Sequence, residues 1–104
     1  MASVRWTVGA REDLRGIVSF VSRYSEMYSA ALVARIVFAV DSLETHPMLG
    51  RMVPEYGEED VREIIVGNYR VVYLFDGADI GIVAVVHGSR DIIGRLGKDP
   101  WDFQ

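Results

Sequence analysis

The sequence predicts an α+β protein: a short strand, a helical hairpin, then a three-stranded antiparallel meander with the helices on one face. Three observations carry this. Apolar side chains recur at the 3.6-residue helical period across residues 10–43, with a break at Ser25. Three later runs, 62–66, 69–75 and 80–86, are rich in valine, isoleucine and aromatics. Between them stand Gly67-Asn68 and Asp76-Gly77, which supply the positive φ that tight hairpins need.

Residues 3–6 read as the first strand, with Val4 and Trp6 on one face. Thr7 suits a helix N-cap, because its hydroxyl can accept from a free amide of the first turn. The following helix keeps Ala10, Leu14, Ile17, Val18, Val21 and Tyr24 on one stripe, with Arg11, Glu12, Arg15 and Arg23 opposite. Ser25 ends that helix and caps a second over 27–45, whose stripe is Val33, Ile36, Val37, Val40 and Leu43. Phe38 lies well off this stripe. His46-Pro47 stops the helix, since a residue before proline is pushed out of the α region. So short a connection between helices predicts an antiparallel hairpin. Leu14, Ile17, Val21, Val33, Ile36 and Val40 are expected to be buried between helices and sheet.

Residues 48–60 form the one long connection, with Pro47 just before it and Pro54, Gly50, Gly57 and the acidic run Glu58-Glu59-Asp60 within it. Such a loop is either functional or a solvated crossing from helix to sheet. Residues 91–96 suit a short helical turn, followed by a tail carrying Trp101 and Phe103. The strands are apolar on both faces: Val71, Tyr73 and Phe75 on one, Val72 and Leu74 on the other. Two helices can cover only one face, so either the aromatic tail or a partner covers the second.

The length suits one domain, residues 1–104, with one core. Cysteine is absent, which removes disulfides and thiolate chemistry and suits a reducing cytoplasm. No secretory signal is visible, and the apolar stretch 30–40 is interrupted by Arg35 and too short to span a bilayer. A soluble protein with no membrane partner is expected. Eleven basic residues against fifteen acidic ones give a net charge of −4, which disfavours gripping nucleic acid through phosphates. All but one of the basic residues are arginine; codon bias explains this, as does planar pairing with acidic partner groups.

Catalytic and metal signatures are missing. His46 and His87 sit in unrelated elements without ligand spacing, so no metal and no cofactor is expected. His87 reads first as a strand-end residue satisfied by backbone. There is no phosphate-cradling glycine loop and no nucleophile elbow.

What stands out is Gly67-Asn68-Tyr69-Arg70-Val71-Val72-Tyr73 followed by His87-Gly88-Ser89-Arg90-Asp91, each with an arginine at a strand end. Arg70 and Arg90 could lie near each other and bind an anion. They could equally pair with Asp91, Glu63 or a backbone carbonyl and only hold the strands. Together with Pro47-xx-Gly50-Arg51 and Val61-Arg62-Glu63, these stretches resemble the RelE/ParE superfamily of toxins from type II toxin–antitoxin modules, over nearly the whole chain.

The resemblance implies a two-layer β-α-α-β-β-β fold, with the first strand beside the last and Val4 and Trp6 next to Ile82 and Ala84. RelE-type toxins cleave messenger RNA at the ribosome with basic strand residues and a C-terminal aromatic. Their arginines match Arg70 and Arg90, but their two lysine positions fall at about Val61 and Glu63. Gly94, Arg95 and Leu96 stand where the tyrosine belongs. An acid where a phosphate should bind is unfavourable. What remains is similar to the ParE-like branch, which implies inhibition of DNA gyrase, a role in plasmid stabilization, and neutralisation by a cognate ParD-like antitoxin in a hetero-oligomer. The resemblance nominates Arg51, Arg62, Arg70, His87, Arg90 and Asp91 for binding the target. The apolar Phe38 side of the second helix and the apolar strand face from Tyr69 onward nominate Phe38, Tyr69 and Tyr73 for contacting the antitoxin. The resemblance nominates no catalytic residue. The rivals are a RelE-like ribosome-dependent ribonuclease and a non-toxic member that only binds its antitoxin.

Overall fold

Hydroxyl caps start both long helices. In the computed structural model, which describes residues 1–103 and side chains through Trp101, the first strand β1 (Ser3–Trp6) runs into Thr7. The Thr7 hydroxyl accepts from Ala10 N at 3.1 Å and opens α1 (Val8–Ser22). The Ser25 hydroxyl accepts from Tyr28 N at 3.0 Å and opens α2 (Glu26–Ser42). Each bond satisfies an amide that the helix itself leaves free. The second helix is shorter than expected: Leu43 N bonds Val40 O and Glu44 N bonds Asp41 O, so residues 43–45 are a tightened turn.

Four further strands follow: β2 (Arg51–Met52), β3 (Val61–Val66), β4 (Tyr69–Phe75) and β5 (Asp79–His87). They form one sheet in the order β1-β5-β4-β3-β2, antiparallel except where β1 runs parallel to β5. The α+β class and the meander therefore stand. The two-residue β2 is too short to have carried a periodic signal. The first strand does lie beside the last, but two residues away from the expected register, with Val4 opposite Ile80 and Trp6 opposite Ile82. The bond from Thr7 N to Ile82 O, at 3.0 Å, continues that alignment just before the cap turns the chain away. Both hairpin turns use glycine at positive φ, Gly67 at 58° and Gly77 at 94°.

The helix-facing core gathers Ala10, Val21, Leu32, Ile36, Val40 and Leu43 over the sheet residues Val66, Val71, Tyr73, Ile80, Ile82 and Val85. Of the six residues expected there, Val21, Ile36 and Val40 are buried. Leu14, Ile17 and Val33 are only half-buried. Tyr24, placed on the first stripe, is exposed in the turn after α1. The buried row of α2 is Ser29, Leu32, Ile36 and Val40, continued by Leu43, so Leu32 and not Val33 or Val37 faces the sheet. Ser29 and Ser22 hydroxyls sit 3.3 Å apart, and these small residues let the two helices approach.

The second sheet face is covered by the chain itself. Val53 and Tyr56 from the long connection, with Ile92 and Leu96 of α3 (Ile92–Leu96) and Trp101, pack on Val61, Val72, Leu74, Val83, Ala84 and Val86. A register shift between Val72 and Tyr73 turns both Val83 and Ala84 toward this outer core. The expected alternative of a partner over the whole outer face is thereby corrected; the further expectation for Phe103 lies outside the described side chains. Among the described residues no helix is long and apolar enough to cross a membrane.

Candidate functional site

At the end of the outer face that the covering segments leave open, four charged side chains interlock. Antiparallel pairing sets Arg51 opposite Glu63 and Ile65 opposite Arg70. Glu63 and Arg70 are thus diagonal neighbours on one face, within reach for long side chains. Arg51 Nε donates to one Glu63 oxygen at 2.7 Å, and Arg70 Nε donates to the other. The outer fork of Arg70 is closed by Glu55, which accepts from Nη1 at 2.8 Å and Nη2 at 2.7 Å.

Burial grades this cluster. Glu63 is 1% exposed and Arg70 7%, whereas the side chains of Arg51 and Glu55 are 60% and 37% exposed. The Arg70 guanidinium holds the Glu55 carboxyl down at about 2, against an ordinary 4.5. Glu55 in turn raises Arg70, against the opposing effect of burial. Two arginines and two carboxylates cancel. The local anchor is the Pro47-xx-Gly50 motif: the Tyr73 hydroxyl donates to Pro47 O at 2.7 Å and accepts from Gly50 N at 2.9 Å. A Cβ on Gly50 would lie 2.5 Å from Glu63 O, so only glycine lets β2 reach β3 here.

Arg51, Glu55 and Arg70 of the cluster line a groove of ≈ 490 Å³, together with Ile65, Tyr69 and His87. The His87 ring stands edge-on to Tyr69 with centroids 5.6 Å apart. Its Nδ1 accepts from Ser89 N at 3.2 Å and lies 2.7 Å from the Ser89 hydroxyl, the backbone satisfaction expected of a strand-end histidine.

The structure thus brings Arg51, Arg70, His87 and Tyr69 to one groove and leaves the other nominated residues elsewhere. Arg62 is spent on carbonyls, donating to Glu59 O at 2.8 Å and Gly50 O at 2.7 Å, and staples the long connection. Arg90 is exposed beyond β5 and forms no ion pair among the described residues. Asp91 stands exposed at the N-cap of α3 without a side-chain capping bond. Two expectations are corrected. Arg70 is not an accessible cation, because two carboxylates enclose it. Tyr73 cannot contact a partner, because it is fully buried on the helix side with its hydroxyl engaged. Burial also raises its pKa. Glu55 was missed altogether. Glu63 carried a signal, an acid at the position that alternates with Val61 and Ile65, where burial demands a cationic partner.

A second surface lies on the helices. Phe38 is 75% exposed and Val37 42%, beside Val18, Val33 and Ala34 along an apolar groove of ≈ 810 Å³. Phe38 also borders Ile64 and Ile65 at the sheet edge. It does not pack inside the hairpin.

A helical hairpin on this five-stranded sheet is the fold of the RelE/ParE toxin superfamily, and four similarities agree with it. The family described as ParE toxin of type II toxin–antitoxin system, parDE, matches residues 4–92. The chain therefore belongs to the ParE toxin family. It is 32% identical over 92 residues to Toxin RelE2 of Caulobacter vibrioides, spanning 86% of this chain and 99% of the relative. Among solved structures it resembles the chromosomal ParDE toxin–antitoxin system of P. aeruginosa, with a TM-score of 0.67 and 23% identity over 84% of this chain and 96% of that one. It also resembles the toxin–antitoxin complex RelBE2 of Mycobacterium tuberculosis, with a TM-score of 0.55 and 27% identity over 83% and 96%.

Proposed function

We propose that the chain is the toxin of a type II toxin–antitoxin module that acts by binding, with DNA gyrase as its target. A cognate ParD-like antitoxin neutralises it in a hetero-oligomer in the bacterial cytoplasm. One observation carries the preference for binding over RNA cleavage. Where a cleaving enzyme needs cations around a phosphate, Glu63 is enclosed and, together with Glu55, neutralises Arg51 and Arg70. A phosphate approaching that cluster meets a carboxylate in a low-dielectric site. The likeness to Toxin RelE2 keeps a ribosome-dependent ribonuclease as the rival.

Antitoxin contact is assigned to the Phe38 and Val37 surface, with Tyr69 at the opposite groove. A segment disordered alone gains by laying an amphipathic helix on such an apolar strip. Target contact is assigned to the outward groups Arg51, His87, Arg90 and Asp91. The test is supercoiling by DNA gyrase with purified toxin, with and without the product of the adjacent small reading frame. The reading expects inhibition that the antitoxin relieves, and weaker inhibition by Arg90→Ala at unchanged thermal stability. Undiminished supercoiling at a large excess of toxin refutes gyrase as the target.

A further inference from the structure

We propose that Glu55 is an internal stand-in for an acidic side chain of a protein partner, and that the groove it closes is a carboxylate-binding site built on Arg70 and Arg51. This does not depend on which target the toxin acts on. Arg70 is more than nine-tenths buried, and Glu63 fixes its Nε, which leaves Nη1 and Nη2 as a planar fork aimed at the groove. Glu55 fills that fork with two bonds of 2.8 and 2.7 Å, the bidentate geometry in which arginine holds a carboxylate.

The two acids of the cluster are not equivalent. Glu63 belongs to β3 and is enclosed. Glu55 comes from the long connection and sits at the rim, with more than a third of its side chain exposed. The backbone around it is held independently. Tyr56 N and Gly57 N bond Val53 O at 3.2 and 3.1 Å, and the Tyr56 hydroxyl donates to Gly97 O at 2.6 Å. Glu55 can therefore turn outward by side-chain rotation while the loop stays in place.

Charge selects the ligand. With Glu55 turned out, Arg51 and Arg70 face Glu63 alone, and the site carries one uncompensated positive charge. A single carboxylate restores neutrality, whereas a phosphate dianion overshoots it and faces the Glu63 carboxylate beneath. Arg51, 60% exposed and using only Nε internally, offers its remaining donors to the incoming group. Ile65, about half exposed, gives an apolar flank, and Tyr69 and His87 also line the groove. The fitting ligand is an acidic residue next to an apolar one on an extended segment. Because Glu55 competes from within the chain, at an effective concentration of order millimolar, a short acidic ligand binds weakly until Glu55 is removed.

The experiment follows the Arg70 Nε–H signal by NMR in the full chain while a blocked Leu-Glu-Leu peptide, or its Leu-Gln-Leu twin, is titrated in. Glu55→Ala is expected to bind the acidic peptide at least tenfold more tightly than wild type. Binding should shift the Arg70 signal, be absent with the glutamine twin, and weaken about tenfold when Arg51→Ala is added. Equal affinity in wild type and Glu55→Ala overturns the proposal. So does tighter binding of inorganic phosphate or short RNA than of the peptide. If Glu55→Ala loosens the loop, Glu55→Gln keeps the side-chain shape, and no gain in affinity there overturns the proposal as well.

Discussion

Removing Arg70 should be more damaging than removing the acid it pairs with, and the structure says by how much. Arg70→Met strips Glu63 of its one buried partner and leaves Arg51, which is mostly in solvent. Breaking a buried pair from one side costs about 3–5 kcal/mol, because the remaining charge stays desolvated. Glu63→Met is milder: Arg70 keeps both oxygens of Glu55, so the loss is about 1–3 kcal/mol, that of a charged hydrogen bond. Changing both to Met removes the charges together and should recover most of the loss, since apolar replacement of a whole buried pair is often close to neutral. Urea unfolding of the wild type, both single variants and the double variant measures all four corners. At the ~4–8 °C per kcal/mol usual for a small domain, Arg70→Met should also lower Tm by about 12 °C or more. An Arg70→Met protein within about 1 kcal/mol of wild type, or one no less stable than Glu63→Met, refutes the view that Arg70 balances an enclosed acid.

Three further outcomes rest on the same packing and pairing. Leu32→Ala should cost about 2–5 kcal/mol in chemical unfolding and Val37→Ala under about 1, because Leu32 faces the sheet and Val37 faces solvent. Phe38→Asp should leave the monomer folded with an unchanged thermal midpoint and weaken antitoxin binding about tenfold or more in titration calorimetry, the size expected of an exposed aromatic anchor. Glu55 has its pKa lowered in the fold, so its pairing contributes stability that is present above pH 4.5 and lost as the pH falls toward 2. Acid titration of Glu55→Gln should therefore show a shallower loss of stability across that window than wild type does.

Local chemistry was readable from the sequence, and long-range chemistry was not. Thr7 and Ser25 cap helices by bonds to amides three residues on, and Gly67 and Gly77 make hairpin turns within their own segments. Each signal lies inside a few residues. The face of α2 was misread because residues 30–40 are apolar nearly all round, so periodicity does not choose between Leu32 and its neighbour Val33. Packing against the sheet makes that choice. The alignment of β1 on β5 rests on ladder pairs such as Trp6 with Ile82, far apart in sequence. The outer face looked in need of a partner because Val53, Tyr56, Ile92 and Leu96 are scattered through loop and tail and form a layer only in the fold. The same reason hid Glu55. An acid in a loop beside Glu58-Glu59-Asp60 reads as solvated, and only the fold brings it to Arg70.

Incubation of the purified toxin with ribosomes stalled on a defined messenger RNA, followed by mapping of the RNA ends, tests the central claim most directly. The claim is that the would-be phosphate site is neutralised from within and that the protein acts by binding. No new RNA ends should appear, even at a large excess of toxin over ribosomes. Cleavage at defined codon positions, abolished by Arg70→Ala in a variant shown to be folded, contradicts the account and makes the protein a ribonuclease.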